Sequence, residues 1–496
     1  MDGNLLSANR LAAALRAGEV SAVELAESAI ARIGKYDGAV NAICVPDFDR
    51  ALDAAREADA ARARGEDGPL LGVPITVKES YNVAGLATTW GMPPFAGFVP
   101  SQDALPVARL KDAGAVLLGK TNVPLALGDL QSYNDLYGTT ANPWDLGRTP
   151  GGSSGGSAAA LAAGFGALSL GSDIGGSLRT PAHFCGVYAH KPSLGLLPSR
   201  GHTPPPAPAL PTDIDLAVIG PMARSAADLG VLLDLLAEPD PLTLGVAYDL
   251  RLPPARHDRP ADFRVLVLDE HPDIPTSAGV RAGIGRVAEV LTAAGARVDR
   301  GSALVPDLAE SARLYLRLLF AVFGTTFPAE LYDRFGELLA DLAPGDDSLA
   351  AARVRGTRLT HRDWFAADQV RERHRHAWRA VFAEYDVVVC PPSPTPAFPH
   401  DQSPHQDRRR LLVDGVEHPY GDQIVWAGVA TLPGLPVTIV PTGLDDSGPH
   451  RTGLPVGAQL IGPMFEDRTP LRLAELLEPE LGGFVAPDLE RTAGTA

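Results

Sequence analysis

Gly151-Gly152-Ser153-Ser154-Gly155-Gly156-Ser157, followed shortly by Ser172-Asp173-Ile174-Gly175-Gly176-Ser177-Leu178-Arg179, is the part of the chain on which its reading turns. Both runs are dense in Gly and Ser, a composition that taken alone predicts flexible coil. A linker separates domains, whereas the first run leads at once into residues 158–170, small and apolar as in a packed interior, and then into the second run. A phosphate-cradling loop requires a Gly-Lys-Ser/Thr ending, and neither run has one.

Acyl transfer explains more of the residues. A serine hydroxyl is a poor nucleophile near neutral pH; it needs a base within hydrogen-bond reach and donors aimed at the oxyanion formed on attack. Ser177 is preceded by Ile174, Gly175 and Gly176, and two glycines let successive backbone N–H groups turn toward one point. Lysine serves as the base in serine-lysine variants of the triad, provided it is neutral. Burial lowers a lysine pKa by up to about 3–5 units from about 10.4. Lys78 closes the apolar stretch Gly72-Val73-Pro74-Ile75-Thr76-Val77, which buries it if that stretch is a strand. On pattern alone, an ordinary surface lysine beside Glu79 is an equally good reading.

Outward from these residues, 72–77 reads as a short strand that delivers Lys78 to its end, where α/β proteins place chemistry. Upstream, Ser21 and Glu24 form a capping-box pattern, and Ala22, Leu25, Ala26, Ala29, Ile30 and Ile33 follow at helical spacing. A second helix starts near Asp47. Downstream the pattern predicts a helix over 103–112, a strand over 115–118 and a capped helix over 225–236. A further unit runs from a strand over 263–268 to a helix ending near Gly295, and strands follow at 386–390, 435–440 and 456–461. This alternation argues for an α/β protein with a large mixed sheet. The Pro-rich stretches 202–211 and 391–404 read as loops. Arg371, Arg373, His374, Arg375 and His376 read as a solvated helix face, because no metal-ligand spacing accompanies them.

At 496 residues, 45% of them hydrophobic, the chain can bury a large core, and length alone suggests two to four domains. Acidic residues outnumber basic ones, 60 to 43, so its field repels polyanions and disfavours nucleic acid and anionic membranes as partners. The three cysteines, Cys44, Cys185 and Cys390, have no CxxC pairing, which excludes a disulfide framework and a zinc finger. Residues 1–10 lack a basic and apolar leader, and no stretch reaches the roughly 18 apolar residues of a membrane span. A soluble, cytoplasmic protein without metal or cofactor is expected.

The motifs resemble the amidase signature enzymes. The matching residues are Gly72 to Lys78, Gly119-Lys120-Thr121-Asn122, Gly138-Thr139-Thr140-Ala141-Asn142-Pro143-Trp144, the two Gly/Ser runs and Phe184-Cys185-Gly186. Toward the C-terminus Gly434-Leu435-Pro436 and residues 453–462, Gly-Leu-Pro-Val-Gly-Ala-Gln-Leu-Ile-Gly, match as well. The resemblance implies one amidase-signature domain over 1–496, a mixed central sheet with helices on both sides. It is densest over 72–224, and 241–420 is more divergent, a cap or insertion at the substrate pocket. It implies a Ser-Ser-Lys triad in which Ser177 attacks, Ser153 relays the proton and Lys78 is the ultimate base. The peptide before Ser153 is then cis, with Gly152 relieving the crowded turn. The N–H groups of Ile174, Gly175, Gly176 and Ser177 are expected to form the oxyanion hole, Ser154 to support the network, and Asp173 and Arg179 to brace the loop. By the same analogy the chain is expected to form a homodimer.

The family acts on carboxylic amides, so a small-molecule amide is the expected substrate. Residues 129–137, the loop after His202, and Trp426, Phe320 and Tyr420 are the candidates for its pocket. Gln131-Ser132-Tyr133-Asn134-Asp135 and Ala189-His190-Lys191-Pro192 depart from the usual family patterns, which leaves the triad intact and the substrate open. The same machinery suits carbamates, anilides or nylon-type oligomers. It also suits the amidase-type subunit of a glutamyl-tRNA amidotransferase, a branch that the C-terminal half does not resemble. A non-catalytic binding protein of this fold is opposed by the presence of Lys78, Ser153 and Ser177 together.

Overall fold

The computed structural model describes residues 3–207 and 213–493. Eleven strands form its main sheet: β1 (Ile43–Pro46), β2 (Pro74–Lys78), β3 (Val116–Thr121), β4 (Leu168–Asp173), β5 (Tyr188–Lys191), β6 (Val218–Ala223), β7 (Arg264–Val267), β8 (Arg297–Arg300), β9 (Val387–Cys390), β10 (Val437–Leu444) and β11 (Pro455–Ile461). Their order is β1-β3-β2-β4-β6-β5-β10-β11-β9-β7-β8. β2 runs parallel to β3 and β4, and β7 parallel to β8 and β9; the other pairs are antiparallel.

Both faces of the sheet are covered, and the strand residues show it. Val265 and Val267 pack into one apolar cluster and Leu266 between them into the other; Val387 and Val389 divide in the same way from Val388 and Cys390. Helices Ala22–Val40, Ala226–Leu236, Ala278–Ala293 and Arg468–Leu481 supply the first cluster, and Leu308–Gly324, His361–Glu384 and Val425–Thr431 the second. A strand buried on both faces has no polar alternation, which is why β2 reads as a continuous apolar run. The Ser21–Glu24 capping box closes as expected, each partner bonding the other's backbone N–H. Asp47 is the N-cap residue of helix Phe48–Ala63.

Residues 158–170 divide into the end of helix Gly155–Ala163 and the start of β4. Region 241–420 does more than cap the core, for it contributes β7, β8 and β9 to the sheet itself. The Arg/His run is only in part a solvated face. On helix His361–Glu384, Arg371 and His374 point inward; Arg371 pairs with Asp215 and Asp368, while Arg373 and His376 are exposed. Of the Pro-rich stretch 202–211, residues 208–211 lie outside the described residues. Among the described residues no helix is long and apolar enough to cross a membrane, and no cluster of His, Cys, Asp or Glu is arranged to hold a metal.

Candidate active site

The sheet itself brings Lys78, the expected base, to its place. β2 and β4 are parallel neighbours with Val77 opposite Leu170, so Lys78 and Ser172 leave the sheet at the same end. Lys78 is fully buried, and its Nζ lies 2.7 Å from Ser153 Oγ and 2.9 Å from Ser172 Oγ. Burial lowers its pKa from 10.5 to about 7, against the opposing pull of the Asp173 carboxylate. Ser172 lies inside the quoted second run, yet nothing in a lone serine at a strand end marks it as a lysine partner.

The two Gly/Ser runs interlock. The Gly152–Ser153 peptide is cis. A Cβ on Gly152 would sit 2.5 Å from the Asp129 carbonyl oxygen and 2.8 Å from the Gln131 nitrogen, so only glycine lets these backbones approach. The Ser154 N–H donates to the Ser177 carbonyl at 3.1 Å, tying one loop to the other, and Ser154 Oγ lies 3.3 Å from both the backbone N–H and the carbonyl of Ser172. Ser153 and Ser177 share no hydrogen bond among the described residues. Ser177 is 6% exposed.

Asp173 and Arg179 form a fully buried ion pair at 2.8 Å that holds the loop carrying Ser177 closed from within. The Asp173 carboxylate accepts the backbone N–H groups of Gly176 and Leu178 at 2.9 and 3.0 Å. Burial alone would raise its pKa; the Arg179 charge and these bonds instead hold it at about 2. Arg179 reaches further, to the Ala427 carbonyl, Thr431 Oγ1 and Gln459 Oε1. One expectation changes here. The Gly176 N–H is already taken by Asp173, so of the four expected oxyanion donors Ile174, Gly175 and Ser177 are the ones with no partner among the described residues. Gly176 itself has φ +99°, a left-handed backbone that suits glycine and rotates its N–H toward the carboxylate.

The candidate pocket residues divide. Asp129, Gln131 and Tyr133 meet Tyr420 and Arg409 in one buried polar cluster, a grouping in which Arg409 had no sequence signal. Phe320 instead joins Phe323 and Phe335, and Trp426 is buried with its ring 5.3 Å from that of His271. His202 packs against Tyr81 and Trp90 and bonds Ser80 Oγ at 2.9 Å. Burial and then the nearby Lys78 push its pKa down to about 3, so a neutral ring adds no charge beside the lysine.

The Amidase family model matches residues 24–471. This chain belongs to the amidase signature family. Among curated members of that family, a glutamyl-tRNA(Gln) amidotransferase subunit of Roseiflexus sp. (strain RS-1) is 34% identical over 487 residues, covering 93% of each chain. The protein of the same name from Anaeromyxobacter sp. (strain K) is 34% identical over 509 residues, covering 96% of each. The similarity therefore runs through the C-terminal half, against the expectation that this half departs from the amidotransferase branch. Among solved structures, an inhibitor-bound chain from a vestigial protein complex connected with the origins of an s-triazine catabolic enzyme aligns with TM-score 0.80 at 30% identity, over 97% of this chain and 99% of that one. A substrate complex of 6-aminohexanoate cyclic dimer hydrolase aligns with TM-score 0.76 at 26% identity, over 98% and 99% of the two chains. Membership in the amidase signature family makes the chain an enzyme of amide C–N bonds, hydrolase or amidotransferase.

Proposed function

We propose that the chain cleaves a carboxylic amide through an acyl-enzyme on Ser177. The observation that carries this reading is the bond from the buried Lys78 Nζ to Ser153 Oγ at 2.7 Å. A lysine with a pKa near 7 is substantially neutral at neutral pH, so its lone pair can take the Ser153 proton while Ser153 takes that of Ser177. Ser177 Oγ attacks the carbonyl carbon, and the oxyanion is received by the N–H groups of Ile174, Gly175 and Ser177. The proton then returns from Lys78 through Ser153 to the leaving nitrogen, the C–N bond breaks, and ammonia or an amine departs. Water repeats the sequence on the ester. The Ser153–Ser177 bond closes on substrate binding, as catalytic hydrogen bonds often do.

A simple amidase acting on a small amide is one form of this reaction. The curated relatives favour the other form more strongly, since at 34% identity over 93% of both chains the match is to an amidotransferase component. In that form the ammonia released at Ser177 passes to a partner chain instead of to solvent. Similarity to the cyclic dimer hydrolase keeps oligoamides in view. One experiment separates these readings. Ammonia or amine release is measured from glutamine, aliphatic and aryl amides, anilides and an aminohexanoate oligomer, for wild type, Ser177→Ala and Lys78→Ala. Turnover by wild type with losses of at least ~10³-fold in both variants is expected. Full activity in either variant overturns the triad. Glutamine turnover that rises only when a co-purified partner is present assigns the amidotransferase form.

A further inference from the structure

Outside the triad, a strap of chain over residues 401–420 meets the protein in a polar cluster centred on one buried guanidinium. Residues 402–408 are exposed, and the small hairpin Arg410–Val413 and Val416–Pro419 leaves Leu412 and Val416 about 60% exposed. Arg409 is buried between them. Its Nη1 donates to Asp129 Oδ2 at 2.6 Å and its Nη2 to Tyr133 OH at 2.7 Å. Tyr420 OH donates to the other Asp129 oxygen at 2.6 Å, and Gln131 and Asp401 exchange two hydrogen bonds of 2.7 and 2.9 Å. The strap thus sits on the outer side of the loop that begins at Asp129.

The inner side of the same loop carries the serine. The Asp129 carbonyl and Gln131 nitrogen are the backbone atoms that close on Gly152. Ser132 Oγ donates to the Gly151 carbonyl at 3.0 Å and accepts the Gly155 N–H at 3.1 Å, clasping the run that holds Ser153 from both ends. The order is strap, loop, serine, and every link in it is a named contact. A guanidinium fork meeting a carboxylate and a phenol fixes direction as well as distance, which a point charge does not.

Resting on the reading of Ser153 as proton relay, we propose that Arg409 is a positioning residue which, through Asp129, holds Ser153 Oγ in register between Lys78 and Ser177. It touches no reacting atom. Loosening it displaces the relay and slows the chemical step while leaving substrate binding alone, and a displacement of about 1 Å costs up to ~10²-fold in rate.

The test compares Arg409→Met, Arg409→Lys, Tyr420→Phe and Ser153→Ala by steady-state kinetics over pH on the best amide, with melting curves showing each variant folded at the assay temperature. Arg409→Met is expected to lower kcat about 10- to 100-fold with KM within about threefold and the acid limb of the pH profile unmoved. Arg409→Lys, which keeps the charge but not the fork, falls between it and wild type. An unchanged kcat, a loss expressed in KM instead, or a lysine variant no better than methionine overturns the proposal. Should Arg409→Met fail to fold, Tyr420→Phe decides: a fall in kcat at constant KM supports it and an unchanged kcat overturns it. Ser153→Ala with wild-type activity removes the relay reading itself, whatever Arg409 does.

Discussion

Lys78 shows at one residue how burial becomes chemistry. Its neutral amine has one lone pair and two N–H groups; Ser172 Oγ, at 2.9 Å, accepts one N–H, which leaves the lone pair free to face Ser153 in the proposed base role. With a pKa near 7, the rate is expected to rise with pH through about 7 and level off above it, because only the neutral amine is a base. A pH profile of kcat/KM checks this, and a flat profile from pH 5 to 9 removes the lysine from the role. Ser172→Ala removes one orienting bond worth about 1 kcal/mol, so a loss of roughly fivefold to tenfold in kcat is expected. The same burial costs stability. Below pH 7 the lysine is charged in both states and the folded chain bears the full desolvation cost; as pH rises toward 10.5 the unfolded chain binds more protons and that cost is relieved. Lys78→Met is therefore expected to melt higher than wild type at pH 6, with a smaller difference at pH 10, in calorimetry.

At the scale of elements, two parallel strands and two tight turns make the site. Had β2 and β4 been antiparallel, Lys78 and Ser172 would leave from opposite ends of the sheet. The turns require backbone to touch backbone, and no rotamer can relieve a Cβ placed 2.5 Å from the Asp129 carbonyl. Gly152→Ala is expected to cost about 1–3 kcal/mol in urea denaturation and to lower kcat as well, since the displaced peptide is the one that carries Ser153. The motif itself is legible because such turns depend on neighbours along the chain. Strands β1, β5, β7, β8 and β9 span four residues each, too short for a period to show. β7 and β9 are nevertheless visible from their apolar runs, Val-Leu-Val and Val-Val-Val-Cys, and β5, Tyr-Ala-His-Lys, is not.

Across the whole molecule, strands from residue 43 to residue 461 share one sheet, and Arg179 ties the loop carrying Ser177 to the C-terminal segments. We infer one folding unit over the chain, for which a single calorimetric transition is the expected signature. Arg179→Met leaves Asp173 charged and buried without its partner, and is expected to cost about 3–5 kcal/mol in denaturant unfolding. The local sequence already contained the α/β class, the capped helices, the apolar strand leading to Lys78 and the family motifs that hold Ser153 and Ser177, because periodicity, caps and glycine turns act over a few residues. The sheet order, the Lys78–Ser172 contact, the Gly176 N–H taken by Asp173, and the Arg409–Asp129 pair, 280 residues apart, had no such signal. Each depends on which distant surfaces meet as the core closes, and a buried arginine reads along the chain no differently from one on the surface.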